Sequence, residues 1–437
     1  MLNKIIFKKG KGILKWTHLS VLVFFFLSTE ICLASDSPVE TLSLGDAIEQ
    51  ALQSNPNISS MEARYRALTY LPEQAGALPD PMLMLNAMNV PTDTFNTNQE
   101  AMTQMQVGIS QALPFPGKRS LRKKIKHYEA EAAYYSVEEL RKKIVNDVKQ
   151  SWLDLFFLDK AISVTQNNQD LMRQLIETAR KKYEVGKGLQ QDVLLAQLEL
   201  SRLLEHGIML QNMRKHQQIK LNILMDNPVD TIVVLDEDLP ELQVSSGQES
   251  TIQQNALETR SSLAEKKEQF RASEASLALA KKGYYPDFKV SVLYGKRRDT
   301  PLGAKRTDFM SVMLNASVPL YAGSKQANAI KQKQHELEKN RLTLKSEQNK
   351  VHMEVAMALA DLTKAQEQFQ LLDAGILPQA RQTVASMMSA YQVSKVDFLN
   401  LVRSQISLFN YELQYWQAKI DIHKSEANIT QAIGKEY

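Results

Sequence analysis

Met82, Met84, Met88, Met102 and Met105 crowd one short stretch of this chain. A thioether sulfur is a soft ligand suited to monovalent copper, which makes Met82, Met84 and Met88 candidates for contact with a metal. Methionine is also an adaptable filler of apolar surfaces, its commoner use. A second constellation is basic: Lys118, Arg119, Arg122, Lys123, Lys124 and Lys126. These cations open a helix-favouring segment, at the end where the macrodipole disfavours positive charge. Phospholipid headgroups would complement them, and plain solvation of a helix face explains them as well. His127, His206, His216, His335, His352 and His423 are scattered, and the chain holds no His-Glu-x-x-His, Gly-x-Ser-x-Gly or phosphate loop. No enzyme activity and no cofactor is expected.

Residues 1–34 read as an export signal. Lys4, Lys8, Lys9, Lys11 and Lys15 precede the apolar residues 19–27, and Cys32-Leu33-Ala34 supplies small residues before a cut near Ser35. The apolar run is shorter than the ~20 residues a membrane span needs. Thr29-Glu30-Ile31 lacks the small residue expected beside a lipidated cysteine. The segment's five Lys and one Glu carry the whole formal charge of +4, so the rest of the chain is 4 − 4 = 0. A neutral chain lacks the basic footprint of nucleic-acid binders, and no nucleic-acid partner is expected. Cys32 is the only cysteine, so the exported protein has neither a disulfide nor a thiolate.

The elements that position these residues are written twice. Gly76/Gly283, Pro79/Pro286, Asp80/Asp287, Lys118/Lys325, Val148/Val355, Asp154/Asp361 and Leu155/Leu362 recur at an offset of 283 − 76 = 207. Tyr183/Tyr391, Val185/Val393, Lys187/Lys395 and Gln197/Gln405 recur at 391 − 183 = 208. One slip over so long a register marks an internal duplication, so each half is one copy of the same architecture. The halves are residues 35–225 and 252–437, joined by an acidic segment over 226–251 that contains the apolar run Thr231-Ile-Val-Val-Leu235.

Within each half a helix comes first. Ser43-Leu-Gly-Asp46 is a capping-box-like start, and Asn55-Pro56 restarts the helix, since proline fits a first turn. Two strand-like runs follow, over 82–113 and 287–318. Met105, Val107, Ile109 and Leu113 alternate with polar or small residues, as do Phe288, Val290, Val292 and Tyr294, and Met310, Val312, Leu314, Ala316 and Val318. Period-two runs of about 10 residues suit a transmembrane barrel. They suit a soluble half-buried sheet equally.

The helices decide between the two. From Lys118 to about residue 182 there is no Gly or Pro, enough for on the order of 100 Å of helix. The copy from Lys325 to Tyr391 is interrupted only at Gly375 and Pro378. Partner helices are expected over about 189–225 and 398–433; Ile144, Val148, Trp152 and Leu155 in the first helix, and Val193, Leu194 and Leu198 in its partner, fall largely at three- and four-residue spacing, as in coiled-coil-like hairpins. Four strands cannot close a membrane barrel, which needs about eight, and an open edge cannot face lipid. Strands from several chains must therefore share one barrel, with the helices outside the lipid.

The order of these elements resembles a known family. Ala-Leu-Pro-Asp-Pro at 77–81, Gln-Ala-Leu-Pro-Phe-Pro-Gly-Lys-Arg at 111–119, and the paired tips Tyr183-Glu-Val-Gly186 and Tyr391-Gln-Val-Ser394 are similar to the TolC family of outer-membrane efflux proteins. The resemblance spans the chain beyond residue 34. It implies an α+β membrane protein: a homotrimer with four strands per chain in one shared outer-membrane barrel, and a long α-helical coiled-coil barrel in the periplasm. It implies passive conduction, with a periplasmic adaptor protein, an inner-membrane efflux pump and outer-membrane lipid as partners. Selectivity in such a duct follows from diameter and lining charge.

The resemblance also assigns a periplasmic tip and gate. Gly186 matches a tip glycine, Tyr183 and Tyr391 match tip-proximal aromatic positions, and Asp192 matches an acid that faces an arginine in relatives. That arginine has no counterpart between Ser394 and Val396, the second tip reading as shorter. Two inner acidic positions fall on Asp397 and Asn400, which leaves Lys395 or Arg403 to supply the cation. Ordinary tip-solvating charges would look the same. Pro-Phe-Pro-Gly-Lys-Arg at 114–119 is similar to the branch serving heavy-metal pumps of the resistance-nodulation-division type. A multidrug or type I secretion channel and a soluble periplasmic scaffold are the alternatives.

Overall fold

The computed structural model describes residues 41–241 and 249–435. The export signal, with Cys32, and residues 242–248 lie outside the described residues. Ser43 opens α1 (Leu44–Ser54), its hydroxyl accepting from the Asp46 N–H. Asn55 caps α2 (Pro56–Thr69), with Pro56 in the first turn where its missing N–H costs nothing. A short α3 (Leu71–Gly76) hands the chain to β1 (Met82–Met88) and β2 (Gln104–Leu113). Then α4 (Lys118–Glu184) runs 67 residues, about 100 Å, and α5 (Gln190–Leu224) returns alongside it. The second copy is α6 (Glu249–Thr259), α7 (Ser261–Lys281), β3 (Phe288–Lys296), β4 (Phe309–Ala316), α8 (Ala327–Leu371), α9 (Leu377–Gln392) and α10 (Phe398–Ile433). Thr231–Leu235 forms no strand; Leu42 and Leu235 make one isolated parallel bridge.

The change of offset from 207 to 208 has a structural cause. Between α8 and α9 the helix makes a π turn at Leu372–Ile376. A π turn closes on i→i+5 and so absorbs one extra residue without breaking the helix. The added residue lies between Leu362 and Tyr391, where the register slips.

The four strands form one antiparallel sheet in the order β1-β2-β3-β4, joining the halves at β2–β3. Register aligns Leu83, Ile109, Val292 and Val312 in one row, and Leu85, Val107, Tyr294 and Met310 in the next. That face is apolar and open; Leu85 is 74% and Val312 67% exposed. The opposite face carries Met82, Ser110, Ser291 and Met313 in one row and Asn86, Gln106, Gly295 and Phe309 in another. Gly108 is required there: a Cβ would stand 2.5 Å from the Val292 carbonyl oxygen. Among the described residues β1 and β4 have no outer neighbour, and no helix is long and apolar enough to cross a membrane.

Among the described residues the helical body is held by four clusters of buried apolar side chains. Trp152, fully buried, packs with Val148, Leu155, Leu221 and Ile420 and donates its indole N–H to the Leu42 carbonyl at 3.1 Å. The seam of α5 differs from the one expected. Val193 and Ala196 turn inward, whereas Leu194 and Leu198 are exposed and continue a stripe through Leu204 and Ile208. Apolar residues lie on two sides of α5, and only one side can face α4.

Arg260, between α6 and α7, is the buried charge that ties four elements together. Its guanidinium reaches Glu139 of α4 and Glu354 of α8, each at 3.0 Å, and the Gln431 carbonyl of α10. Removing one member of such a cluster strands the others without compensation, typically at about 3–5 kcal/mol. Arg260→Met is therefore expected to lower the thermal unfolding midpoint, followed by circular dichroism in detergent, more than Glu139→Gln does.

Candidate functional site

At the far end of the helices the two tips have the same backbone. The Lys187 N–H bonds the Lys182 carbonyl and the Gly186 N–H the Tyr183 carbonyl; in the copy, Lys395 bonds Ala390 and Ser394 bonds Tyr391. Both are Schellman-type stops. The left-handed position falls on Gly186 (φ 72°) and on Ser394 (φ 60°). The next helices are capped by Leu189 and Asp397, so the tips are equal in length: 189 − 183 = 6 and 397 − 391 = 6. The shorter second tip read from the sequence is not present.

Side chains make the tips unequal. Tyr391 is 5% exposed and packs against Phe398 with the rings tilted, centroids 5.1 Å apart, whereas Tyr183 is half-exposed. Met172, Leu175 and Ala179 of α4, Ala196 of α5, and Leu401 and Val402 of α10 complete a small core around Tyr391. Burial of the Tyr391 ring, then the nearby Asp192 charge, push its phenol above the ordinary tyrosine range.

Lys182 is the link between the tips. From the end of α4 its ammonium donates to the Tyr391 carbonyl and to Ser394 Oγ at 3.1 Å, and lies 4.3 Å from the Tyr391 ring centroid. That carbonyl already accepts from the Ser394 N–H, so the ammonium is its second donor at the end of α9. It also acts electrostatically on Asp192. Asp192, in the first turn of α5, is half-buried, and burial raises its carboxyl above the usual range. The Leu189 N–H pulls it down, the Asp397 charge raises it again and Lys182 lowers it.

Lys182, Tyr391, Ser394, Asp192 and Asp397 thus form one cluster. Lys395, Asn400 and Arg403 stand outside it, exposed, and neither Lys395 nor Arg403 makes an ion pair among the described residues. The cation beside Asp192 is Lys182, which sequence reasoning passed over because the repeat places Ala390 opposite it (182 + 208 = 390). Asp397, Asn400, Arg403 and Ser407 follow one another along one exposed side of α10.

The methionines lie at the other end. Met82, Met84 and Met88 share the less apolar face of β1, and Met88 Sδ accepts from Gln106 Nε2 at 3.2 Å and Gln104 Nε2 at 3.7 Å. Among the described residues no group of three or more His, Cys, Asp or Glu is placed to hold a metal.

Comparison with known proteins fits this geometry. Residues 47–225 and 252–435 match the family described as outer membrane efflux protein. The cobalt-zinc-cadmium resistance protein CzcC of Cupriavidus metallidurans is 22% identical over 408 residues, covering 90% of each chain. The outer membrane protein VceC of Vibrio cholerae superposes with a TM-score of 0.76 at 16% identity, over 90% of this chain and 96% of that one. CusC, solved in a study of its transmembrane channel formation, gives 0.76 at 13% identity, over 90% and 92%.

Proposed function

The chain belongs to the outer membrane efflux protein family and is an outer-membrane efflux duct with a large periplasmic part; we propose that it works as a passive homotrimer carrying heavy-metal cations outward. The observation that carries the assembly is the sheet. Four strands with two unpaired edges and one apolar face cannot stand alone in lipid. Three copies supply 3 × 4 = 12 strands, enough for a closed barrel. The halves 35–225 and 252–437 then act as six similar units around the axis. The exposed stripe of α5 (Leu194, Leu198, Ile208) and Met353 and Met357 of α8 are the apolar surfaces left for neighbouring copies. The test is the mass of the detergent-solubilised protein, corrected for bound detergent. Three chains support the reading, and one chain refutes it.

The metal cargo rests on the likeness to a cobalt-zinc-cadmium resistance protein and on the Pro-Phe-Pro-Gly-Lys-Arg segment. The energy comes from an inner-membrane pump, coupled through a periplasmic adaptor that meets the tips. No bond is made or broken in the duct. Met82, Met84 and Met88 are not needed for this cargo, since cobalt, zinc and cadmium in water favour nitrogen, oxygen or thiolate donors over thioethers.

The tip is the gate. Lys182 holds the two hairpins of one chain together, while the Asp397–Arg403 side of α10 lines the bore. Arg403, three per trimer, then opposes cations near the closed end. Arg403→Asp is expected to move the single-channel reversal potential in a salt gradient toward cation selectivity. An unchanged reversal potential would remove Arg403 from the bore.

A further inference from the structure

The junction between sheet and helices holds a clasp that the chain makes once and leaves half-made a second time. Lys118, buried at the start of α4, reaches Asp287 Oδ1 at 2.9 Å and the Tyr285 carbonyl at 3.0 Å. The Phe115 N–H donates to the same carboxylate oxygen at 2.7 Å, and the Phe115 ring stacks on Tyr285 at 4.5 Å. A residue of the first half therefore grips an acid of the second, across the β2–β3 seam.

Each part of the clasp has its duplicate. Lys325 repeats Lys118 and Asp80 repeats Asp287, both at 207. In sheet register Pro319-Leu320 stands for Pro114-Phe115, since Met82 pairs Ser110 and its copy Lys289 pairs Asn315 (315 − 110 = 205), and Leu78 repeats Tyr285 (285 − 207 = 78). Within one chain these duplicates do not meet. Among the described residues Lys325 and Asp80 are exposed and have no ion pair, and Leu320 is 82% exposed. They flank the outer strands, Asp80 two residues before β1 and Lys325 nine residues after β4, in the π turn that leads into α8.

We infer that Lys325 of one copy grips Asp80 of the next, with Leu320 against Leu78, repeating between chains the clasp made within each chain. The inference rests on the trimer proposed above. In a ring of six similar half-units, the seam from first half to second lies inside a chain, and the seam from second half to first lies between chains. The partner is a second copy of this chain, fixed by charge complementarity and by the free β1 and β4 edges. Three Lys118–Asp287 pairs and three Lys325–Asp80 pairs then alternate around the periplasmic rim of the barrel. The between-chain version is looser, because a π turn at Ala322–Gln326 carries Lys325 where Gly117 turns the chain sharply into α4.

Charge reversal in the intact protein tests it. Asp80→Lys and Lys325→Asp each place like charges at every interface, and the double variant restores the pairing in the opposite sense. Mass measurement in detergent is expected to find the trimer fraction more than about tenfold lower in each single variant and close to wild type in the double. Both sites are solvent-exposed in the single chain, so the folded chain survives, as helix content by circular dichroism would verify. Single variants that trimerise normally, or a double variant no better than the singles, would overturn the clasp while leaving the trimer standing. A wild-type protein that is not a trimer would overturn both.

Discussion

Val312→Arg is expected to keep the protein from assembling in the outer membrane, while Ser311→Arg, one residue away, assembles. Val312 stands in the row with Leu83, Ile109 and Val292 on the apolar face, and Ser311 points to the other face in the row with Met84 and Gly108. An arginine on the lipid face of a barrel at mid-depth costs about 2–4 kcal/mol. The proposed barrel of three chains carries that cost three times, about 6–12 kcal/mol, comparable with the whole stability of a folded protein. The opposite face borders water in a duct, where a guanidinium stays hydrated. Membrane fractionation and heat-modifiable mobility on gels would read both variants. Equal behaviour of the two would mean that the sheet does not have one face in lipid.

Lys182→Met is expected to loosen the closed tip. The side chain is half-buried and holds the Tyr391 carbonyl and Ser394 Oγ together. A hydrogen bond to a charged group is worth roughly 1.5–3 kcal/mol when dry, and water access at the tip brings Lys182 to the low end. About 1.4 kcal/mol is tenfold in an equilibrium, so the open probability in planar bilayers should rise about tenfold. The methionine keeps the packing of the methylenes and removes only the charge. Lys182→Arg, which keeps the charge, should stay closer to wild type.

The same cluster gives a pH dependence of definite sign. Burial and then the Asp397 charge raise the Asp192 carboxyl, against the Leu189 N–H and Lys182, and in the proposed gate this arrangement is the closed tip. A carboxyl with a raised value favours the state that raises it while protonated. Its contribution to closure is complete below the ordinary aspartate range and is lost as pH rises through the raised value. The duct should therefore close more firmly in acid, and Asp192→Asn should stay closed at neutral pH with the dependence flattened. Conductance traces at several pH values would detect a dependence of the opposite sign, which would mean that the carboxylate itself holds the tip shut.

The strands and long helices were legible because their signals are local. Alternation places Val107, Ile109, Val292 and Val312 on one face without any knowledge of partners, and a run without Gly or Pro stays helical. Even the π turn left a trace, the slip from 207 to 208. What depends on contacts between distant segments was not legible. Lys182 meets a carbonyl 209 positions away, through its own ammonium rather than through a repeated residue. The family resemblance drew attention to Lys395 and Arg403, whose positions in the second tip are exposed. Leu194 and Leu198 have helical spacing, but spacing alone does not say which of two apolar sides of α5 faces α4.

The most direct measurement is growth of a strain lacking this protein, with and without complementation, on cobalt, zinc, cadmium, copper and silver beside dyes, bile salts and hydrophobic antibiotics. Sensitivity confined to the metals, restored by the wild-type chain, is the predicted result. Sensitivity to the organic compounds would contradict it and make this chain a multidrug or general exit duct.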